Sequence, residues 1–462
     1  MGKETDIAID EVRMGFRQYD YRMPMKFRGV VGTEATTLDV AVLARTAGGG
    51  SGWGFGSMIV GNTWAFPSEH LSSDETLSVM VRISGRVGQL VKSIGGECRH
   101  PLDHWRTLEP LIIEDLKYLE VERGLAEPIP LLAGLVVASP FDAAVHDAFG
   151  KANGINVYSG YGRDFVSHDL SAHLDARFKG EYLDRYTLAK PRERMALYHL
   201  VGALDPLTGA EIRSRLDDGL PETLDEWIAA DGLTHLKIKM DGRDGDWDVA
   251  RVVAVNEVAE SADASRDWKF SVDFNERCET VAYLLEVLAK VREHSSRAFD
   301  RIQYVEQPTH RDLAAHSENK MHAAAKVKPV VIDESLTGYE SLLLSMEMGY
   351  SGVALKACKG QSQSLVLGAA AQKYGLFLCV QDLTCTGPSY LHSVSLASRI
   401  PTVAAIEGNG RQYCPSANEG FAEMYPSTFK VANGSIETGC LAGPGLGLMG
   451  EGYKGEGLEP VE

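Results

Sequence analysis

Several things are scarce in this chain, and each scarcity excludes something. No apolar run approaches the roughly 18–20 residues of a membrane span, and the opening MGKETDIAID lacks the apolar core of a signal peptide. The expectation is a soluble, cytoplasmic protein. Cysteine is thin, seven in 462 residues, scattered and without a C-x-x-C pair. That pattern argues for free thiols in a reducing compartment rather than a disulfide framework or a zinc site. Positive charge is in deficit, with 46 Lys and Arg against 64 Asp and Glu for a net charge of -18. Long-range attraction to phosphate needs the opposite sign, so neither nucleic acid nor an anionic membrane is an expected partner, while a local basic pocket stays open. Nothing is repetitive or coiled, which disfavours a purely structural role. The composition is otherwise that of an ordinary globular protein, and the length suits two or three domains or one α/β barrel with an addition.

The texture changes along the chain. Up to about residue 130, strand-like runs (IDEVRMGFRQYDYRM, TTLDVAVLARTAGG) precede a stretch with helical spacing (DETLSVMVRISGRVGQLVKSIGG), which reads as a small α+β domain. From SPFDAAVHDAFGKANG onward, short strands alternate with amphipathic helices. The strand candidates are THLKIKM, KFSVDFN, IQYVEQP, VKPVVIDES, GVALKAC, LFLCVQD and VAAIEGN. Seven or eight βα units favour a closed parallel barrel over an open sheet. Residues 176–222, charged and helical-looking, read as an enlarged βα loop over the active face. The glycine-rich tail LAGPGLGLMGEGYKGEGLEP precedes no helix, so it reads as a turn-rich closing segment rather than a phosphate loop.

Three consecutive strand candidates end in an acid: Asp273, Glu306 and Asp333. Parallel barrel strands place their C-termini at one rim, where three converging carboxylates repel unless a cation lies among them. An all-oxygen set suits Mg²⁺ better than zinc. The competing reading is three separate helix N-caps. Lys237 and Lys239 share one face of LKIKM, which is either a solvent-facing edge strand or the lining of a charged mouth. In the second case Lys356, in GVALKACKG, stands across the mouth from Lys239. Divalent charge and partial burial would depress a lysine pKa toward the range of a general base.

In these pieces, KIK, DFN, VEQP, IDES and LKACKG in order, with SPFDAAVHDAFGKANG and GPGLG, the chain resembles the enolase superfamily, and within it the lysine-pair branch of the mandelate racemase and muconate lactonizing enzyme family. The resemblance covers most of residues 130–450. It implies a modified TIM barrel, (β/α)7β, spanning 136–430, an N-terminal α+β capping domain at 1–135, and a C-terminal segment at 431–462 returning to that domain. It implies Mg²⁺ held by Asp273, Glu306 and Asp333, an acid/base pair of Lys239 and Lys356 on opposite substrate faces, and Lys237 as an electrostatic partner. Asn275 and Glu334 are implied as supporting residues, and a symmetric homo-oligomer as the assembly. An Asp–His pair of the mandelate racemase branch is absent at LFLCVQDLTC. Asp382 stands roughly where lysine-pair relatives carry Glu, and the interval from Asp273 to Glu306 is extended through KVREHSSRAF.

Specificity in this family resides in capping-domain loops, for which PMKFRGVVG (24–32) and GWGFGSMIVGNTWAFP (52–67) are the candidates. The second reads either as a mobile apolar lid or as ordinary loop aromatics over the core. Arg28 is a candidate contact for a substrate anion, and Glu407, Asn409 and Arg411 for a polar substrate. The expected activity is Mg²⁺-dependent abstraction of the α-proton of a small-molecule carboxylate, as a racemase or epimerase. Cycloisomerisation, syn-elimination and acid-sugar dehydration share that first step. A catalytically silent binding relative is the rival from another class.

Overall fold

The computed structural model describes residues 2–27, 30–448 and 455–462. Strands β1 (Ile7–Phe27), β2 (Val30–Thr46) and β3 (Ser51–Ile59) form an antiparallel sheet in the order β1-β2-β3. The β1–β2 hairpin is long, running from Ile7 opposite Thr46 to Phe27 opposite Val30. Helices α1 (Asn62–Ala65), α2 (Ser73–Ile94) and α3 (Pro101–Arg123) follow, and α2 opens with a reciprocal cap between Ser72 and Glu75.

Helix α4 (Leu131–Ala152) is apolar and long enough to cross a membrane, but it is almost wholly buried inside the protein. Its second half lies in the SPFDAAVHDAFGKANG that opens the alternating region of the sequence. Its seam with β3 explains the glycines of GWGFG. A Cβ at Gly52 would stand 2.7 Å from Ala152 N, and one at Gly54 or Gly56 would overlap the carbonyls of Ala144 and Pro140. Along β3 the three alternate glycines face, in turn, Ala152, then Ala148 and Ala144, then Pro140, so each lets the strand backbone lie directly against that of α4. The mobile-lid reading is therefore overturned for the first half of 52–67, a buried strand locked to a helix; its second half carries α1.

The barrel consists of β4 (Arg194–Val201), β5 (His235–Lys239), β6 (Lys269–Asp273), β7 (Ile302–Glu306), β8 (Val330–Ile332), β9 (Gly352–Lys356), β10 (Phe377–Gln381) and β11 (Val403–Glu407). All eight pair in parallel with their neighbours, and β11 closes onto β4. Helices separate the strands, giving (β/α)7β. The first barrel strand, RMALYHLV, lies inside the segment read as one loop insertion. That insertion is two pieces: 3-10 turns before β4, and a loop after it, of which Leu204 and Asp205 reach the cavity described below. KVREHSSRAF contains the end of the helix Val281–His294 and a further short helix, Ser296–Arg301.

The tail closes both halves. Strand β12 (Ser435–Glu437) pairs antiparallel with β4, and β13 (Glu459–Pro460) pairs with β1 at Arg13 and Met14. Asp147 on α4 joins three segments, accepting from Phe55 N (2.9 Å) and Leu446 N (2.8 Å) and pairing with Lys151 (2.7 Å).

Candidate active site

Lys237 and Lys239 do not lie on an edge, because β5 is paired on both sides. Alternation along the strand sends both side chains into the barrel, Lys237 deeper, with 2% of its side chain exposed against 14% for Lys239. None of Asp273, Glu306 and Asp333 caps a helix: the N-cap positions of the helices that follow are Thr280, Met321 and Gly338. All three carboxylates are completely buried at the strand ends, and Asp273 is the register partner of both Lys239 and Glu306.

The acids and lysines interlock. Lys237 Nζ lies 3.1 Å from Asp273, 2.9 Å from Glu306 and 3.0 Å from Glu407. Lys239 donates to Asp273 (2.6 Å) and to Asn275 Oδ1 (3.0 Å). Across the ring, on a strand four places away, Lys356 lies 2.9 Å from Asp333 Oδ2 and donates to the carbonyl of Asp382 (3.3 Å). Lys359, present in LKACKG but assigned no role from sequence, donates to the carbonyl (2.5 Å) and Oδ1 (3.1 Å) of Asp333. Gln381, also unforeseen, donates to Glu306. These partners converge only through the closed barrel, so no local pattern announces them.

Electrostatics follow from this packing. Burial alone would raise Asp273, but Lys239 and Lys237 hold it below the usual carboxylate range. Burial, with the Asp273 charge beside it, pushes Glu306 well up. Glu334 is pushed up to about 7 by burial and by Asp333, and Asp382 to about 7 by burial and by Glu407. At Lys356, burial would lower the ammonium, but with no ion present the adjacent Asp333 outweighs burial and raises it.

Three oxygen-donor side chains on adjacent strands, in a place closed to bulk water, are a donor set that fits Mg²⁺. Glu334 Oε2 takes no hydrogen bond, and Asp333 Oδ2 meets only the Lys356 ammonium. In the present arrangement the carboxylates are turned onto the lysines, and among the described residues no three His, Cys, Asp or Glu side chains are grouped closely enough to hold an ion.

A cavity of about 90 Å³ opens above these groups, with Lys237, Lys239, Asn275, Lys356, Asp382 and Glu407 in its lining. The capping domain supplies Tyr21, Met25, Lys26 and Phe27 from the hairpin tip and Trp64 from α1. Arg28 lies outside the described residues. Arg22 anchors the hairpin by pairing with Asp218 and donating to the carbonyls of Pro221 (3.0 Å) and Leu220 (3.1 Å), in the loop after β4. Asn275 sits at φ 44, donating to Asp273 and, at 3.4 Å, to Glu334. Glu407 lines the cavity and pairs with Lys237 (3.0 Å), while Asp382 Oδ1 and Asn409 Oδ1 have no hydrogen-bond partner. Arg411 turns away, to Asp231 (2.5 Å) and His199 (2.9 Å). His392 is on a helix and bonded to Gln361 (2.9 Å).

Residues 219–450 match the family described as enolase C-terminal domain-like. No curated protein sequence matches the chain. Among solved structures, a dipeptide epimerase from Enterococcus faecalis V583 complexed with Mg and L-Leu-L-Tyr superposes with a TM-score of 0.62 at 16% identity, over 95% of this chain and 99% of that one. The L-Ala-D/L-Glu epimerase from Bacillus subtilis gives 0.62 at 16% identity, over 96% and 100%. A muconate lactonizing enzyme from Pseudomonas fluorescens, complexed with muconolactone, gives 0.59 at 18% identity, over 96% of each chain. At these identities the likeness is one of fold.

Proposed function

The chain belongs to the enolase C-terminal domain-like family, and from that premise we propose that it is a Mg²⁺-dependent enzyme that removes the α-proton of a small carboxylate substrate, as a racemase or epimerase. The observation that carries this reading is the placement of two lysines on diametrically opposed barrel strands, both lining one cavity, with buried acids beside them. A binding protein has no use for two opposed proton carriers.

Asp273, Glu306 and Asp333 would hold the ion. When bound, it would neutralise the charge that develops on the substrate carboxylate as the α-proton leaves. Lys237, buried and held in its charged form by Glu306, Glu407 and Asp273 against the pull of burial, adds fixed positive charge at that end. Lys239 and Lys356 face the α-carbon from opposite sides, one taking the proton and the other returning it. The hairpin tip and Trp64 cover the cavity and limit water around the exchanging proton. Mg-complexed dipeptide epimerases and muconate lactonizing enzymes alike share this fold, so the choice of epimerisation over ring closure rests on the opposed lysines.

The test is a panel of dipeptides, acylamino acids and acid sugars incubated with the protein and Mg²⁺ in D₂O. Deuterium at the α-carbon of both stereoisomers of one compound is the expected result. Loss of water or ring closure without interconversion would move the reading to a lyase or cycloisomerase, and absence of exchange across the panel would favour the silent relative.

A further inference from the structure

Each of the two opposed lysines lies under an aromatic ring, and both rings come from the capping domain. Phe27, at the hairpin tip, lies with its ring centre 5.5 Å from Lys239 Nζ. Trp64, on α1, lies 4.5 Å from Lys356 Nζ and 5.6 Å from Lys359 Nζ. The two rings are held differently. Trp64 is 3% exposed and anchored twice: its indole N–H donates to Glu334 Oε1 (3.0 Å), and its carbonyl accepts from Arg311 (2.9 Å). Arg311 in turn pairs with Glu276 (2.6 Å), in the loop after β6. Trp64 thereby touches the rims beyond four barrel strands, through Glu276 by way of Arg311, and directly through Arg311, Glu334 and Lys356. Phe27 is only partly buried, at the end of a two-stranded projection.

A ring face attracts an ammonium and, lying over it, occupies the space from which another group would approach on that side. We propose that Trp64 and Phe27 are positioning residues that assign the two faces of the cavity separately: Trp64 holds Lys356 in place and shields it, and Phe27 does the same for Lys239. The pairing rests on the two-lysine reading above but needs no turnover to be tested. Two faces sealed by rings of unequal rigidity are an unequal pair, with Lys356 the more tightly placed.

The experiment measures access to each amine. Glyoxylate, a small carboxylate aldehyde, condenses with a free lysine amine to an imine and water, and borohydride reduces the imine to a stable secondary amine. Labelling at residues 239 and 356 is then quantified by peptide mass mapping at one pH, with Mg²⁺ present. Trp64→Leu should raise labelling of Lys356 at least about threefold and leave Lys239 within twofold. Phe27→Leu should do the reverse. Trp64→Phe, which keeps a ring face and loses the bond to Glu334, should restore most of the protection, as a purely fold-supporting role would not. Equal changes at both lysines, or none at either, overturn the assignment. Should wild-type protein exchange no α-proton in the panel while the labelling pattern holds, the failure lies with the proposed activity and not with the rings.

Discussion

Replacing Lys237 by methionine removes one ammonium from among three carboxylates, and its cost follows from the contacts. Lys237 stands 3.1, 2.9 and 3.0 Å from Asp273, Glu306 and Glu407, all with side chains at most 3% exposed, so water cannot take its place. Afterwards Asp273 keeps Lys239 at 2.6 Å, Glu306 keeps the Gln381 amide, and Glu407 keeps Asn409 at 3.3 Å. Removing one partner of a buried ion pair costs about 3–5 kcal/mol. Glu306, already pushed up by burial and by Asp273, offers an escape by taking a proton, so the lower end of that range applies. With an unfolding entropy of about 2.1 cal/mol/K per residue, a chain of 462 residues loses about 1–1.6 °C of Tm per kcal/mol, depending on whether the whole chain or the barrel alone unfolds as a unit, which sets the expected fall at about 3–5 °C. The assay is scanning calorimetry in EDTA, so that no bound ion contributes, at pH 6 and pH 8. The fall should be smaller at pH 6, where protonating Glu306 is cheaper, and Lys237→Arg should recover much of it. A shift under about 2 °C at both pH values, or a variant more stable than the parent, would refute the view of the cluster as a closed, mutually neutralised set.

Asp273→Asn and Glu306→Gln should each abolish measurable Mg²⁺ heat in titration calorimetry while the circular dichroism spectrum is kept; unchanged binding in both would remove these acids from the metal site. Asp382 is raised in the folded protein to about 7 from an unfolded value of about 3.9. Its contribution to stability is therefore full below the unfolded value and lost as pH rises through the folded one. Asp382→Asn should flatten the decline in Tm between about pH 4 and 7, and an unaltered slope would show that the group does not titrate there. Gly56→Ala places a methyl group into the Pro140 carbonyl across the β3–α4 seam, so it should destabilise by about 1–3 kcal/mol in urea unfolding, whereas a mobile loop at this position would tolerate it.

Much of the barrel and of its charged rim is legible in the chain because both follow local rules. Strand alternation puts Lys237 and Lys239 on one face, and successive βα units bring Asp273, Glu306 and Asp333 to one rim, whatever the surroundings. Other features required the folded chain. RMALYHLV is short and flanked by turns, so only its pairing with β5 and β11 marks it as the first barrel strand. The GWGFG stretch has the composition of a flexible loop, and only α4 lying against it shows why glycine is needed. Long-range charge decided the rest. The sign of the Lys356 shift depends on Asp333, 23 positions earlier, and the rings over the lysines arrive from strand β1 and helix α1, some 200 residues or more away. Periodicity specifies which way a side chain points within its own strand. Which partner it meets there is set by the closing of the barrel and the seating of the capping domain on it.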